Sequence, residues 1–366
     1  MKKRRHFNPV LRIPVLMILS LALVLVLFSC LNNHQKKILM DLGYTKVEIA
    51  AMDELGLRDE LLKKNLYSDS LASALIQKSV DTKHLDLYYL HSNLSDTNLF
   101  VTDEIILIND KLLKYGYSQE LINQLLENLS FREMTPLLVF EIMGDVTPYI
   151  EDVIEHRQEN EGQFVLSNDY LKAYENPKTV NVALNELMLV NKKNQLPSGY
   201  TPLDLTMISR GCRFSDMSAA APAAAAFEAM CAEAKNQGMI LASTSAYRDY
   251  DYQKELYDQM VQSDGQEVAE RYVIQAGYSE HQSGYAIDFG SLSEPDVPFA
   301  QSPEYRWVCE VAASYGFILR YPQGYESITG IAFESYHWRY VGVEAAEKIN
   351  ASGLTFDEYY KLYIEE

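Results

Sequence analysis

The sequence predicts an α+β protein in which an all-α region precedes a mixed C-terminal domain. Three observations predict it. Apolar residues recur at helical spacing across residues 36–156, where β-branched alternation is scarce. After about residue 170, strand-like and helix-like stretches interleave with long irregular loops. Ahead of both, a basic N-terminus is followed by a charge-free run. The length of 366 residues suits roughly two globular units at about 150 residues each. With 48% hydrophobic and 23% charged residues the chain has the composition of a folded protein. Its net charge of −19, from 32 Lys and Arg against 51 Asp and Glu, would repel a phosphate backbone, so nucleic-acid binding is disfavoured. Cys30, Cys212, Cys231 and Cys309 show no CxxC spacing, which leaves neither a zinc-finger framework nor a dense disulfide scaffold readable.

Residues 1–32 read as a cytoplasmic basic stub and membrane anchor or lipoprotein signal. Lys2, Lys3, Arg4, Arg5 and Arg12 precede residues 13–31, which carry no charge. As a helix that run spans about 28 Å, close to the hydrocarbon thickness of a bilayer. Positive charge stays cytoplasmic, so everything after Leu31 is expected outside the cell. A buried core helix is the competing reading. Leu27-Phe28-Ser29-Cys30 also resembles a lipoprotein cleavage box, with Phe28 bulkier than usual, so the protein is expected at the cell membrane as a single-pass or a lipid-anchored chain.

Residues 33–160 read as a helical region of unassigned role. A weak repeat runs through it: Tyr44-Thr45, Tyr67-Ser68 and Tyr117-Ser118 each stand before a helical apolar pattern, where Ser or Thr can cap the helix and the Tyr can pack on its first turn. The copies are irregularly spaced, so short helical hairpins are expected rather than a regular solenoid. The region reads as a spacer or as a surface for a protein partner. The polar stretch at residues 157–162 reads as a linker.

The C-terminal domain, residues 170–366, opens with alternation at residues 179–184 that predicts a strand. A helix is predicted over residues 217–235, capped by Ser215 or Asp216 and ended by Gly238. Strands are predicted over residues 239–243, 285–289 and 336–341, and helices over 252–261 and 304–315.

Two histidines follow residue 156. His281 stands seven residues before Asp288, and Gly284 opens the strand that carries the carboxylate. Alternation puts Ala286, Asp288 and Gly290 on one face, so Asp288 has small neighbours and room for an ion; a salt-bridged carboxylate in a buried strand is the alternative. In the second segment His337, Arg339 and Val341 share a face opposite Tyr336, Trp338 and Tyr340, and His337 could equally be a satisfied core histidine. Glu334, three residues earlier, faces the wrong way unless a turn or bulge at Ser335 brings it round. Two imidazoles and one carboxylate suit zinc with a fourth position for water, and Glu334 is then left as general base. Arg248, at the end of a predicted strand, could stabilise an oxyanion or clamp a carboxylate, or simply pair with Asp249 or Asp251.

The pattern Ser279-x-His281-x-x-Gly284-x-Ala286-x-Asp288, with Glu334-x-x-His337 and Ser245-x-Tyr247-Arg248, resembles the VanY-type zinc D-alanyl-D-alanine carboxypeptidases. Val190-Asn191-Lys192-Lys193-Asn194-Gln195-Leu196-Pro197 and Tyr200-Thr201-Pro202-Leu203-Asp204-Leu205 are similar to the segment that opens their catalytic domain. The resemblance covers about half the chain. It implies a hedgehog-like zinc-peptidase domain, with His281, Asp288 and His337 as zinc ligands, Glu334 and Arg248 as catalytic residues, and Ser279, Gln253 and Tyr247 at substrate-binding positions. The implied substrate is the peptidoglycan stem peptide, trimmed of its C-terminal D-Ala by proteolysis outside the cell. An L,D-carboxypeptidase acting on tetrapeptide stems and a non-catalytic wall-binding module are the other readings. Tyr336, where many members of the family carry Trp, is a departure.

Overall fold

The computed structural model describes the backbone of residues 12–90, 103–157, 166–167, 169–293 and 295–365, with side chains from residue 24 onward. Two compact units divide between Ile106 and Leu107. In the first, a long helix α1 (Arg12–Leu42) leads into α2 (Lys46–Leu55), α3 (Arg58–Lys64), α4 (Asp69–Gln77) and α5 (Leu87–Leu90). Thr45 caps α2 in a reciprocal capping box with Glu48, and Ser68 caps α4 through the Leu71 amide. Tyr44 is buried in front of its cap and its ring lies 4.8 Å from that of Tyr67. Leu39, Met52, Leu61, Leu71 and Leu75 complete this core. The charge-free residues 13–31 lie within α1. Residues 1–11, and the side chains up to residue 23, fall outside the described residues. Among the described residues no helix is long and apolar enough to cross a membrane.

The unit boundary falls inside α6 (Asp103–Lys114), well before the break near residue 160 expected from composition. Three further helices, α7 (Gln119–Asn128), α8 (Phe131–Phe140) and α9 (Thr147–Glu155), belong to the second unit. Ser118 caps α7, and Ser130 forms a capping box with Glu133 on α8. Polar side chains tie these helices to the C-terminal residues: Thr135 donates to Glu358, Arg132 to the Ser352 carbonyl at 2.5 Å, and Lys361 to Glu141 at 2.7 Å. Much of the region expected to serve as spacer or partner surface is therefore committed to intramolecular packing. The polar linker at residues 158–162 lies outside the described residues.

Next come two small pairings, β1 (Lys178–Thr179) with β2 (Asn194–Gln195), and β3 (Leu205–Met207) with β4 (Ser218–Ala220). Two sequence expectations change here. Of the strand over 179–184 only Thr179 pairs, at the end of β1, and the chain turns into a 3₁₀ segment at Val182–Leu187 that is broken at Asn185, φ 51°. The helix over 217–235 starts only at Ala221, since residues 218–220 pair as β4; Pro222, whose missing N–H costs nothing there, sits in the first turn of α10 (Ala221–Asn236).

The main sheet follows, four antiparallel strands in the order β5 (Leu241–Ser245), β6 (Ala286–Ser291), β8 (His337–Tyr340), β7 (Phe317–Leu319). Its connections carry α11 (Tyr250–Asp264), α12 (Gln266–Tyr272), α13 (Pro303–Val311) and α14 (Glu326–Thr329), and α15 (Val343–Ser352) and α16 (Phe356–Tyr359) close the chain. One sheet face is the core. Phe289 stacks on Trp338 at 5.6 Å and meets Phe227 of α10 at 4.7 Å, and the Ala-rich flank of α10 lets the helix approach closely. Alternation then turns Asp288 and His337 to the opposite face. Tyr336 leaves the expected aromatic wall: it lies in a turn, 40% exposed, so strand alternation does not reach it.

Gly284 makes the turn into β6 at φ 78°, and a Cβ there would lie 3.1 Å from Pro202 and 3.2 Å from the Ala220 nitrogen. Gly284→Ala is expected to cost about 1–2 kcal/mol from backbone strain and more from the clash. Urea unfolding should show a lowered midpoint; an unchanged one would remove this turn from the determinants of the fold.

Candidate metal centre and active site

Three local devices deliver the donors. A single 3₁₀ turn, Glu280–Ser283, carries His281 and is closed by Gly284, whose amide donates to the His281 carbonyl at 3.2 Å. Register does the second job: Asp288 on β6 stands directly opposite His337 on β8. A turn at Ser335-Tyr336, closed by the His337 amide donating to the Glu334 carbonyl at 3.3 Å, brings Glu334 to the same side. Its carboxylate Oε2 lies 3.7 Å from His337 Nδ1.

His281, Asp288 and His337 are all buried and present one donor atom each within 4.8 Å of one another. Asp288 Oδ1 is 3.3 Å from His281 Nε2 and 3.2 Å from His337 Nδ1. On the far side of His281, Nδ1 donates to the Ala246 carbonyl at 2.6 Å, leaving Nε2 as the free lone pair. Neither His281 Nε2 nor Asp288 Oδ1 makes a hydrogen bond. Two buried, unpartnered polar atoms facing each other across 3.3 Å are costly without a cation, so this donor set fits a metal ion.

Electrostatics agree. Burial and the neighbouring Arg248 push His281 down to about 4, which keeps it neutral. Asp288 is held well below the usual carboxylate range because His281 and His337 outweigh the effect of its burial. Burial opposes a charge on His337 as well, but the Asp288 and Glu280 carboxylates on either side of the ring raise it to about 9. Burial pushes the Glu334 carboxyl up to about 7.

The donors open onto a cavity of about 780 Å³. Arg248 and Ser279 line it beside the donors; Leu256, Met260, Ile274 and Ile331 give it an apolar wall. Arg248 is half-buried with its Nε unpartnered. Two expected substrate-binding residues stand apart from this wall. Gln253 is buried and spends its amide nitrogen on the Ile274 carbonyl at 2.6 Å, which holds the loop behind the cavity. Tyr247 is half-buried and bonds through its backbone to the Ser218 carbonyl. Sequence reasoning missed Tyr321, whose ring lies 4.9 Å from His337 and whose buried hydroxyl in the cavity wall has no partner. It also gave no role to Glu280, Arg320 and Arg339, which are fully buried behind His337. Glu280 and Arg339 lay inside motif segments, Glu280 beside His281 and Arg339 on the face of His337, so a charged residue next to each histidine was the available signal.

With this geometry established, comparison with known proteins identifies the family. The profile of the VanY family, described as D-alanyl-D-alanine carboxypeptidase, matches residues 216–343. YodJ of Bacillus subtilis (strain 168), which bears a provisional carboxypeptidase name, is 37% identical over 209 residues, spanning 54% of this chain and 77% of YodJ. A D-alanyl-D-alanine carboxypeptidase of Enterococcus faecium is 31% identical over 259 residues, spanning 69% of this chain and 76% of that protein. The chain belongs to the VanY family. Among solved structures, that of the LdcB LD-carboxypeptidase is 38% identical over 50% of this chain and 90% of its own, with a TM-score of 0.48.

At pH 8 His281 is already neutral and Asp288 already ionised, while His337, raised to about 9, still carries a proton that a metal ion must displace. Adding a divalent metal to metal-free protein in weak buffer at that pH should release about one proton per ion, and affinity should fall as pH is lowered. His337→Ala should abolish both uptake and release. Uptake with no proton released would remove His337 from the donor set.

Proposed function

We propose that this protein is a zinc carboxypeptidase that removes the C-terminal D-Ala from peptidoglycan stem peptides outside the cell. The observation that carries this reading is the buried trio His281, Asp288 and His337, with two unpartnered donor atoms and the Glu334 carboxylate beside it. Two imidazoles and one carboxylate are a common catalytic zinc set, and zinc held there supplies Lewis acidity and lowers the pKa of water. Glu334 takes the proton of the attacking water on its carboxylate and returns it to the leaving amine. Burial raises this carboxyl, to about 7 in the metal-free site, and a divalent ion beside it would draw it down again, which favours the ionised form that accepts the proton. Arg248 lines the cavity with its Nε unpartnered, where it neutralises developing oxyanion charge or a substrate carboxylate. Membership of a family described as D-alanyl-D-alanine carboxypeptidase supports the choice of substrate. The domain is then of the hedgehog-like zinc-peptidase kind.

The extracytoplasmic placement rests on the N-terminus. The charge-free run lies in one helix, and its described residues Val24, Leu25, Val26, Leu27 and Phe28 are 58–70% exposed, so nothing among the described residues covers them. A bilayer would cover them, whether the helix stays as an uncleaved anchor or Cys30 carries a lipid.

The full chain should remove one alanine from a pentapeptide stem, read by mass spectrometry, and a chelator should stop it. Glu334→Gln should lower kcat by about 10²–10⁴-fold with metal content unchanged. Turnover retained in that variant would remove Glu334 as the base. Cleavage of tetrapeptide stems alone would move the assignment to an L,D-carboxypeptidase, and metal binding without hydrolysis of either stem would move it to a wall-binding module.

A further inference from the structure

Glu280 is fully buried and takes no part in the chemistry above. Its two oxygens face different partners. Oε1 accepts from Arg320 Nε at 2.8 Å and lies 3.1 Å from Arg339 Nη1. Oε2 lies 3.3 Å from His337 Nε2. Arg320 also donates through Nη1 and Nη2 to Asp357 on α16, at 2.6 and 3.2 Å, and Asp357 accepts from the Asn191 amide at 2.7 Å. Arg339 donates through Nη2 to the carbonyls of Glu186 and Met188.

Two features of this cluster matter for His337. Its formal charges, two guanidiniums and two carboxylates, cancel without His337, so Glu280 can accept the imidazole N–H without requiring a second proton on the ring. The geometry also leaves the ring one useful tautomer. With Nε2–H directed at Glu280, the lone pair falls on Nδ1, which faces Asp288 Oδ1 at 3.2 Å. His281 is arranged in the mirror sense, its Nδ1–H on the Ala246 carbonyl and its lone pair on Nε2. The two histidines thus offer opposite nitrogens to one point, each fixed by an acceptor behind it.

We propose that Glu280 is a positioning residue of the metal centre: it sets the tautomer and ring orientation of His337, and Arg320 and Arg339 hold Glu280 in place. The proposal rests on the reading of His281, Asp288 and His337 as metal ligands.

Glu280→Gln tests it in the full-length protein. The arginines are donors only, so the amide NH₂ of that variant must turn toward His337. It then donates to Nε2 and drives the ring proton onto Nδ1, the atom the metal needs. Zinc affinity, read by chelator competition, should fall about 10–100-fold. The absorption spectrum of the cobalt-substituted protein should change with it. Asp357→Asn is the control, because it removes a charge from the same cluster without touching His337. It should lower the thermal midpoint of the metal-free protein, as Glu280→Gln does, while keeping zinc affinity within about threefold of the parent and the cobalt spectrum unaltered. If Glu280→Gln fails to fold, Glu280→Asp, which withdraws the carboxylate from Nε2 by one methylene, is read in the same way. Parent-like affinity and spectrum in the Glu280 variant would overturn the proposal, and so would an equal loss in Asp357→Asn. A parent protein that takes up no divalent metal would instead overturn the metal reading on which the proposal depends.

Discussion

The antiparallel registration of β6 against β8 is the constraint on which the rest of this unit depends. It sets Asp288 opposite His337 on one sheet face and, one residue along, Phe289 and Trp338 on the other. A slip of a single residue would exchange the faces, sending donors into the aromatic core and rings into the cavity. The stacking of Phe289 and Trp338 beneath α10 therefore opposes any slip, and the apolar half of the sheet keeps the polar half in register.

That arrangement concentrates polar groups where water is scarce. A buried donor or acceptor without a partner costs about 1–3 kcal/mol. The chain meets this cost in two ways on the same face. Behind His337 the buried charges answer one another, Glu280 and Asp357 against Arg320 and Arg339. In front of it His281 Nε2 and Asp288 Oδ1 are left unanswered. The charges behind balance within the protein, with Arg339 Nη1 the atom left without a hydrogen bond; the trio in front carries no balancing cation of its own and suits a metal ion. This difference favours a ligand set over an ordinary buried salt bridge, the alternative that Asp288 presented in the sequence.

The helices of residues 107–155 share in this economy. Glu358, next to the cluster residue Asp357, closes a capping box with Thr355 and accepts from Thr135 on α8. The C-terminal turn that anchors Arg320 is thereby packed against α8, which is why the compact unit begins at Leu107 rather than near residue 160. Composition gave no hint of this, because a helix that buries one face looks the same in sequence whichever neighbour it buries it against.

Local order was enough to single out His281, Asp288 and His337 as candidates, with the family resemblance joining them into one set, and to place the caps at Thr45, Ser68 and Ser118 and the need for a turn at Ser335, since each depends on neighbours a few residues away along the chain. Three other features were decided only when distant segments met: Ala246 and Glu280 selecting opposite nitrogens of the two histidines, Gln253 drawn off the cavity by the Ile274 carbonyl, and Pro222 opening α10 after β4 instead of within a longer helix. Residue type and alternation specify which groups a segment can offer. Which partner takes up each hydrogen bond depends on tertiary packing, and a buried polar atom is satisfied or left free only once that packing is complete.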